Sequence, residues 1–291
     1  MTDRPKTTNG ARSRKPLVDS APDLSSILAS KVVGQPNVIS VIVPYIEMYQ
    51  AGLAPENRPV GVFLLLGPTG TGKTRTVEAL AEALHGSSKN VLKIDCGEFQ
   101  MEHEVAKLIG APPGYLGHRE TQPMLSQQKL ASVTTDNCGL SLVLFDEIEK
   151  AAPSLTRLLL GVLDRGVLRL GDNSVVNFEK SLVFLTSNLG AREMMREINP
   201  DFGFQSAASN NREDLTSKLQ GIALVSVRKK FSPEFINRID HVITYRPLDA
   251  ESFAAIADLE IEHLQNHVNT RLGNRCFTIE VPFDARQWLI E

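Results

Sequence analysis

The sequence predicts an α/β fold in which five parallel strands form a sheet covered on both faces by helices. Three observations carry that expectation. Short, continuous apolar runs recur along the chain, stretches with helical spacing separate them, and a glycine-rich turn joins the first run to the first helix. Composition agrees, since 42% of the 291 residues are hydrophobic and 22% charged, the balance of an ordinary soluble protein. That length allows a full core and a smaller second unit.

Residues 1–28 are rich in Thr, Ser, Pro, Asn, Arg and Lys and poor in aromatics, so they read as a disordered tail that buries too little to offset the entropy of ordering. Arg4, Lys6, Arg12, Arg14 and Lys15 suit a solvated tail, or contact with an acidic partner. Residues 29–247 form the large domain. Gly61–Leu66 (GVFLLL) has the pattern of a strand buried on both faces. Val91–Ile94, Leu142–Phe145, Leu182–Leu185 and Val242–Tyr245 supply four more strands. Thr74–Leu84 places Val77, Leu80, Ala81 and Leu84 at helical spacing. Further helices are expected around Glu102–Leu108, Met124–Ser132, Ser154–Leu163 and Arg212–Lys230. Pro247 punctuates the chain, and residues 248–291 begin a small C-terminal domain. There Phe253, Ile256, Ile261 and Leu264 mark an amphipathic helix, and Phe277–Val281 a short strand.

Several function classes are disfavoured. A net charge of −3 provides no basic field to recruit nucleic acid or an anionic membrane. Cys96, Cys138 and Cys276 form no CxxC pair, which argues against a disulfide framework or zinc site and fits the cytoplasm. No apolar run is long enough to span a bilayer, and the N-terminus has no apolar signal core. His103-Glu104 is not an HExxH zinc motif, because Lys107 stands where the second histidine would be.

The chemistry concentrates in Gly67-Pro68-Thr69-Gly70-Thr71-Gly72-Lys73-Thr74, which fits G-x-x-x-x-G-K-[ST] between a predicted strand and a predicted helix. Glycines let backbone N–H groups turn inward around phosphates, and the positive end of the following helix adds to the attraction. Lys73 suits the β- and γ-phosphates of ATP, and the Thr74 hydroxyl suits Mg²⁺. Leu142–Phe145 ends in Asp146 and Glu147, at the strand end where open α/β sheets bind ligands. Asp146 is expected to hold the Mg²⁺ shell and Glu147 to activate water as general base, although acidic residues also favour a helix start. Asn188 ends another predicted strand, where its amide would position that water or simply cap a turn.

Six stretches beyond these arguments look specific: Val32–Gln35 (VVGQ), Gly67–Thr74, Leu108–Gly117 (LIGAPPGYLG), Leu144–Ala151 (LFDEIEKA), Leu185–Asn188 (LTSN) and Phe231–Asp240 (FSPEFINRID). In this order they resemble the AAA+ module of the Clp family, most of all the second ATPase module of its two-ring members, from about Lys31 to the end of the chain. The resemblance implies a five-stranded AAA+ P-loop core, a hexameric ring of copies of the chain, and ATP-driven threading of unfolded or tagged protein through a pore. It also implies site residues. Val32 and Val33 resemble the apolar pair beside adenine, with Ile256 closing the site from the small domain unless it is core. Arg238 resembles the arginine finger that reaches a neighbouring subunit's γ-phosphate, the alternative being a surface ion pair with Asp240 or Glu234. Tyr115 and Leu116, between Gly114 and Gly117, resemble the pore loop that grips substrate, unless the tyrosine packs inward. A second pore loop is expected near Arg169–Val175. Phe202-Gly203-Phe204 sits where protease-docking members carry an aliphatic-Gly-Phe loop, so a ClpP-like peptidase is a candidate partner; the same residues would also anchor the loop on its own domain.

There are departures from the family pattern. Residues 118–141 lack the glycine pair and the Arg-Pro-like turn usual in that segment. The sequence ends at Glu291, ahead of the family's Gly-Ala-Arg motif, so a truncated small domain without the sensor-2 arginine is expected. A nucleic-acid-handling AAA+ protein and a structural ring member with weak ATPase are the alternatives, the first disfavoured by near-neutral charge and an aromatic rather than basic pore loop.

Overall fold

The structure is a computed structural model that describes residues 24–110, 123–198 and 212–290. Helices α1 (Leu24–Lys31) and α2 (Pro36–Gln50) precede the first strand, β1 (Gly61–Leu66). Next come α3 (Lys73–His85), β2 (Leu92–Asp95), α4 (Ala106–Ile109), α5 (Gln127–Ser132), β3 (Ser141–Asp146) and α6 (Pro153–Arg165). A hairpin of β4 (Val167–Arg169) and β5 (Val175–Asn177) leads into β6 (Ser181–Ser187). Helices α7 (Ala191–Ile198), α8 (Arg212–Lys230) and α9 (Pro233–Ile236) then lead to β7 (His241–Thr244). The last described elements are α10 (Ala250–Leu272) and α11 (Phe283–Ile290).

The main sheet has the order β2-β3-β6-β1-β7, with every pairing parallel. All six residues of β1 are buried, as a strand between two neighbours and under helices on both faces requires. Alternation along the strand divides them between two cores. Val62, Leu64 and Leu66 face one cluster with Ile94, Phe145, Leu185 and the buried side of α6. Phe63 and Leu65 face the other, with Leu28 of α1, Ile42 and Ile46 of α2, and Leu80 of α3. Within it Phe63 stacks on Phe184 at 5.3 Å between ring centroids and meets Tyr45 edge-on at 5.0 Å.

Helix limits follow local chemistry. In α2, Pro36 sits in the first turn, where its missing N–H costs nothing, and Val38, Ile39, Ile42, Val43 and Ile46 form the buried stripe. Helix α3 ends at Gly86, whose φ of 75° is the left-handed stop that glycine takes without strain.

Several elements differ from expectation. Helix α1 starts at Leu24, inside the stretch read as tail, because Leu28 is an anchor buried against the second core. The helix expected over Glu102–Leu108 forms only at Ala106–Ile109, since residues 101–105 are taken up by turns. Phe277–Val281 is not a strand. The Gln265 side chain of α10 donates to the Phe277 carbonyl at 2.8 Å and accepts from the Ile279 N–H at 2.7 Å, so a side chain stands in for a strand partner.

Phe63→Ala should cost about 3–5 kcal/mol, the usual range for emptying a buried aromatic site. Urea denaturation should show a lower midpoint with an unchanged slope.

Candidate active site

Leu66 of β1 pairs with Ser187 of β6, and Phe145 of β3 with Leu185 of β6. This register brings the glycine-rich loop, Asp146-Glu147 and Asn188 to one edge of the sheet, at the C-terminal ends of the strands. Thr69, Gly70, Gly72, Lys73, Thr74, Arg75, Asp146, Glu147, Thr186 and Asn188 line a cleft of about 420 Å³ there.

Glycine is required in the loop for two different reasons. A Cβ on Gly67 would lie 2.9 Å from Tyr245, which closes the loop from behind. Gly70 and Gly72 face open space but have φ of 81° and 95°, which side chains resist. Lys73 is 8% exposed and donates to the carbonyls of Gly67 (2.7 Å) and Pro68 (2.8 Å) and to Asn188 Oδ1 (2.8 Å). Burial lowers its pKa to about 8, against the opposing pull of Glu149, Asp146 and Glu147.

Asp146 accepts a hydrogen bond from the Thr186 hydroxyl and forms an ion pair with Lys93 at 3.0 Å. Burial pushes its pKa upward, but these two partners together with the nearby Lys73 charge outweigh burial and hold it below the ordinary carboxylate value. The Thr74 hydroxyl stands 3.5 Å from each Asp146 oxygen, giving a hard-oxygen donor set of a kind suited to Mg²⁺. Thr186 also accepts the Glu147 N–H at 3.0 Å, supporting Glu147 at a left-handed φ of 55° that a non-glycine residue rarely takes. The Glu147 carboxylate, thus turned off the strand line, accepts from Asn188 Nδ2 at 3.2 Å and from Lys150 at 2.6 Å. Asn188 therefore bridges Lys73 and Glu147, while its own N–H donates to Glu149 Oε1 at 3.0 Å.

A second cavity of about 190 Å³ lies beside the cleft and shares the lining residues Gly70, Gly72 and Arg75 with it. Val32, Val33, Leu248, Ile256 and Leu259 give it apolar walls. Gln35 donates to the carbonyl of Thr71 (3.3 Å), which lines this cavity, and to that of Arg246 (2.8 Å). Gly34, at φ 76°, lies so close to the start of α10 that a Cβ would meet Leu248 and Ser252 at 2.9 Å.

Arg238 is not among the residues lining either cavity. Its ion pair is to Asp164 of α6, at 2.9 Å, rather than to Asp240 or Glu234. Asp240 is already committed to Arg58 at 2.6 Å and to the Val62 N–H at 2.8 Å. Residues 169–175 form the tip of the β4–β5 hairpin, with Val175 exposed. Tyr115, Leu116, Phe202, Gly203 and Phe204 lie outside the described residues. Sequence reasoning missed Thr186, Lys93, Gln35 and Glu149. Thr186 alone had a usable signal, a hydroxyl two residues before Asn188 at the end of an apolar run.

Fold and cleft together define the class, a P-loop nucleotide-binding module. The chain belongs to the AAA domain family (Cdc48 subfamily), whose profile matches residues 58–242. It is similar to the chaperone protein ClpB of Meiothermus ruber, 37% identical over 268 residues, covering 92% of this chain and 29% of the relative. ClpB of Brucella suis is 36% identical over 262 residues, covering 90% of this chain and 27% of that protein. The chain thus spans under a third of the length of these relatives. Among solved structures, the S. cerevisiae Hsp104:casein complex in its extended conformation matches with 26% identity and a TM-score of 0.74. That match covers 92% of this chain and 42% of the Hsp104 chain.

The lowered pKa of Lys73 makes nucleotide affinity depend on pH. Above about pH 8 the free site loses its lysine proton, and phosphate oxygens favour the charged form, so binding must take up a proton. ATP affinity should be level below pH 8 and fall above it, and calorimetry in buffers of different ionisation enthalpy should register the proton uptake.

Proposed function

We propose that this chain is an ATP-hydrolysing motor module that unfolds or remodels proteins by threading them through the pore of a hexameric ring of its own copies. The convergence of Lys73, Asp146, Glu147 and Asn188 in one cleft at the strand ends carries the reading. The similarity to ClpB chaperones and to Hsp104, whose structure holds casein, supports protein as the substrate. No described helix is long and apolar enough to cross a membrane, and a cytoplasmic setting suits the three free cysteines.

Each residue has a role in this reading. The N–H groups of Gly67–Thr74 and the Lys73 ammonium hold the ATP phosphates, while Val32, Val33 and Ile256 enclose the adenine. Thr74 and the ionised Asp146 would hold Mg²⁺, which when bound neutralises charge on the phosphate oxygens. Lys73 exchanges the carbonyls of Gly67 and Pro68 for phosphate oxygens. Glu147 accepts the proton of the attacking water, held in place by the Asn188 amide. Arg238 acts in trans, where a planar cation offsets charge on the transferring phosphoryl group of the adjacent subunit. Tyr115 and Leu116 grip the translocating chain.

Lys73→Ala should abolish tight ATP binding, whereas Glu147→Gln should retain binding and stop turnover; normal turnover in the latter would remove Glu147 as the base. Arg238→Ala should keep affinity and lose most hydrolysis, and rings mixed from Arg238→Ala and Glu147→Gln subunits should recover some activity. Failure to recover in verified mixed rings would rule out action in trans. Tyr115→Ala should hydrolyse ATP at nearly the normal rate while unfolding of a tagged fluorescent protein collapses. Normal unfolding would make Tyr115 a packing residue.

A further inference from the structure

Arg238 lies just beyond α9, in a turn held by ion pairs on two sides. On one side Asp240 roots the turn on β1. Its N–H donates to the Val62 carbonyl at 2.9 Å, its Oδ2 accepts the Val62 N–H at 2.8 Å, and its Oδ1 accepts from Arg58 at 2.6 Å. On the other side Arg238 Nη1 donates to Asp164 Oδ1 at 2.9 Å, in the last turn of α6. The end of α6 is itself pinned, because Gly166 leaves no room: a Cβ there would lie 3.1 Å from Glu179 and 3.2 Å from the Arg58 backbone. Arg58 therefore touches both the end of the helix that carries the carboxylate and the root of the turn that carries the guanidinium.

We propose that Asp164 is a positioning residue for Arg238, holding its guanidinium in the orientation from which it serves the neighbouring subunit's site. The inference rests on the reading of Arg238 as the trans-acting arginine. A long, many-rotor side chain is aimed only a small part of the time unless something limits its rotamers. A guanidinium offers five N–H donors in a fixed fork, so one edge can stay on Asp164 while another meets phosphate oxygens. The pair is open to an approaching subunit, with side chains 42% and 35% exposed, so it is not sealed in the protomer. Arg165 Nε stands 3.9 Å from Asp164, a second cation beside the carboxylate.

The test is ATP turnover by assembled rings of the full chain, with ring mass followed by light scattering and stability by melting temperature. Asp164→Asn keeps the shape and removes the charge. It should lower kcat about two- to five-fold, the scale of one exposed ion pair, with KM for ATP unchanged. Asp164→Glu should restore most of the rate. In an Arg238→Ala background, Asp164→Asn should change nothing further, because the side chain it positions is gone. An equal loss in both backgrounds would make Asp164 a general structural residue and overturn the proposal. Unchanged turnover in Asp164→Asn, with Arg238→Ala still inactive, would overturn it while leaving the trans role of Arg238 intact. Full activity of Arg238→Ala would remove both. If the asparagine variant does not assemble, Asp164→Glu decides: kcat within about two-fold of normal is expected, and a loss as deep as that of Arg238→Ala overturns the assignment.

Discussion

Leu66 of β1 lies beside Ser187 of β6, and the arrangement of the nucleotide cleft depends on that parallel register. Side chains alternate between faces along a strand, so a slip of one residue would send Phe63 and Leu65 into the wrong core. It would also carry Gly67–Thr74 past Asn188 and break the contact through which Lys73 meets the opposite strand. Burial of β1 on both faces makes such a slip costly, each displaced large apolar side chain forfeiting about 1.5–3 kcal/mol. Chemical precision at the strand ends is thus a product of packing well behind them.

At those ends the charges are arranged as a compensated set. Lys73, Lys93 and Lys150 lie among Asp146, Glu147 and Glu149, each carboxylate meeting a lysine or a backbone N–H. A buried ammonium is expensive without partners, and the carbonyls of Gly67 and Pro68 with the Asn188 amide supply them. Asn188 is central because an amide both accepts and donates, so one residue satisfies the lysine and the glutamate together.

The central strands β1, β3 and β6 were legible in the sequence because buried parallel strands are written as uninterrupted apolar runs, of which GVFLLL is the plainest, whereas the edge strands β2 and β7 are only partly buried and carry a weaker signal. The glycine-rich loop, Asp146, Glu147 and Asn188 were legible because motif spacing and strand-end position coincide. Residues that act through geometry alone were not. Lys93 reaches Asp146 only because β2 lies beside β3, and nothing local to residue 93 signals that neighbour. Gln35 meets Arg246 across 211 positions of chain, and Asp164 meets Arg238 across a fold that a linear pattern does not encode. The strand expected at Phe277–Val281 failed for a related reason: alternation marks a segment able to pair, but here Gln265 takes its hydrogen bonds.

The strand order β2-β3-β6-β1-β7 also has a consequence for the chain's own biogenesis. β1, residues 61–66, is made early, yet both of its neighbours, residues 181–187 and 241–244, emerge more than a hundred residues later. At ribosomal speeds of about 5–20 residues per second, its apolar side chains and open backbone edges wait for many seconds before either flank arrives. Gly67–Thr74 likewise has no Asn188 or Tyr245 to close against until the same late segments appear. The connectivity that closes the finished cleft therefore leaves an apolar strand of the nascent chain without its neighbours for that interval.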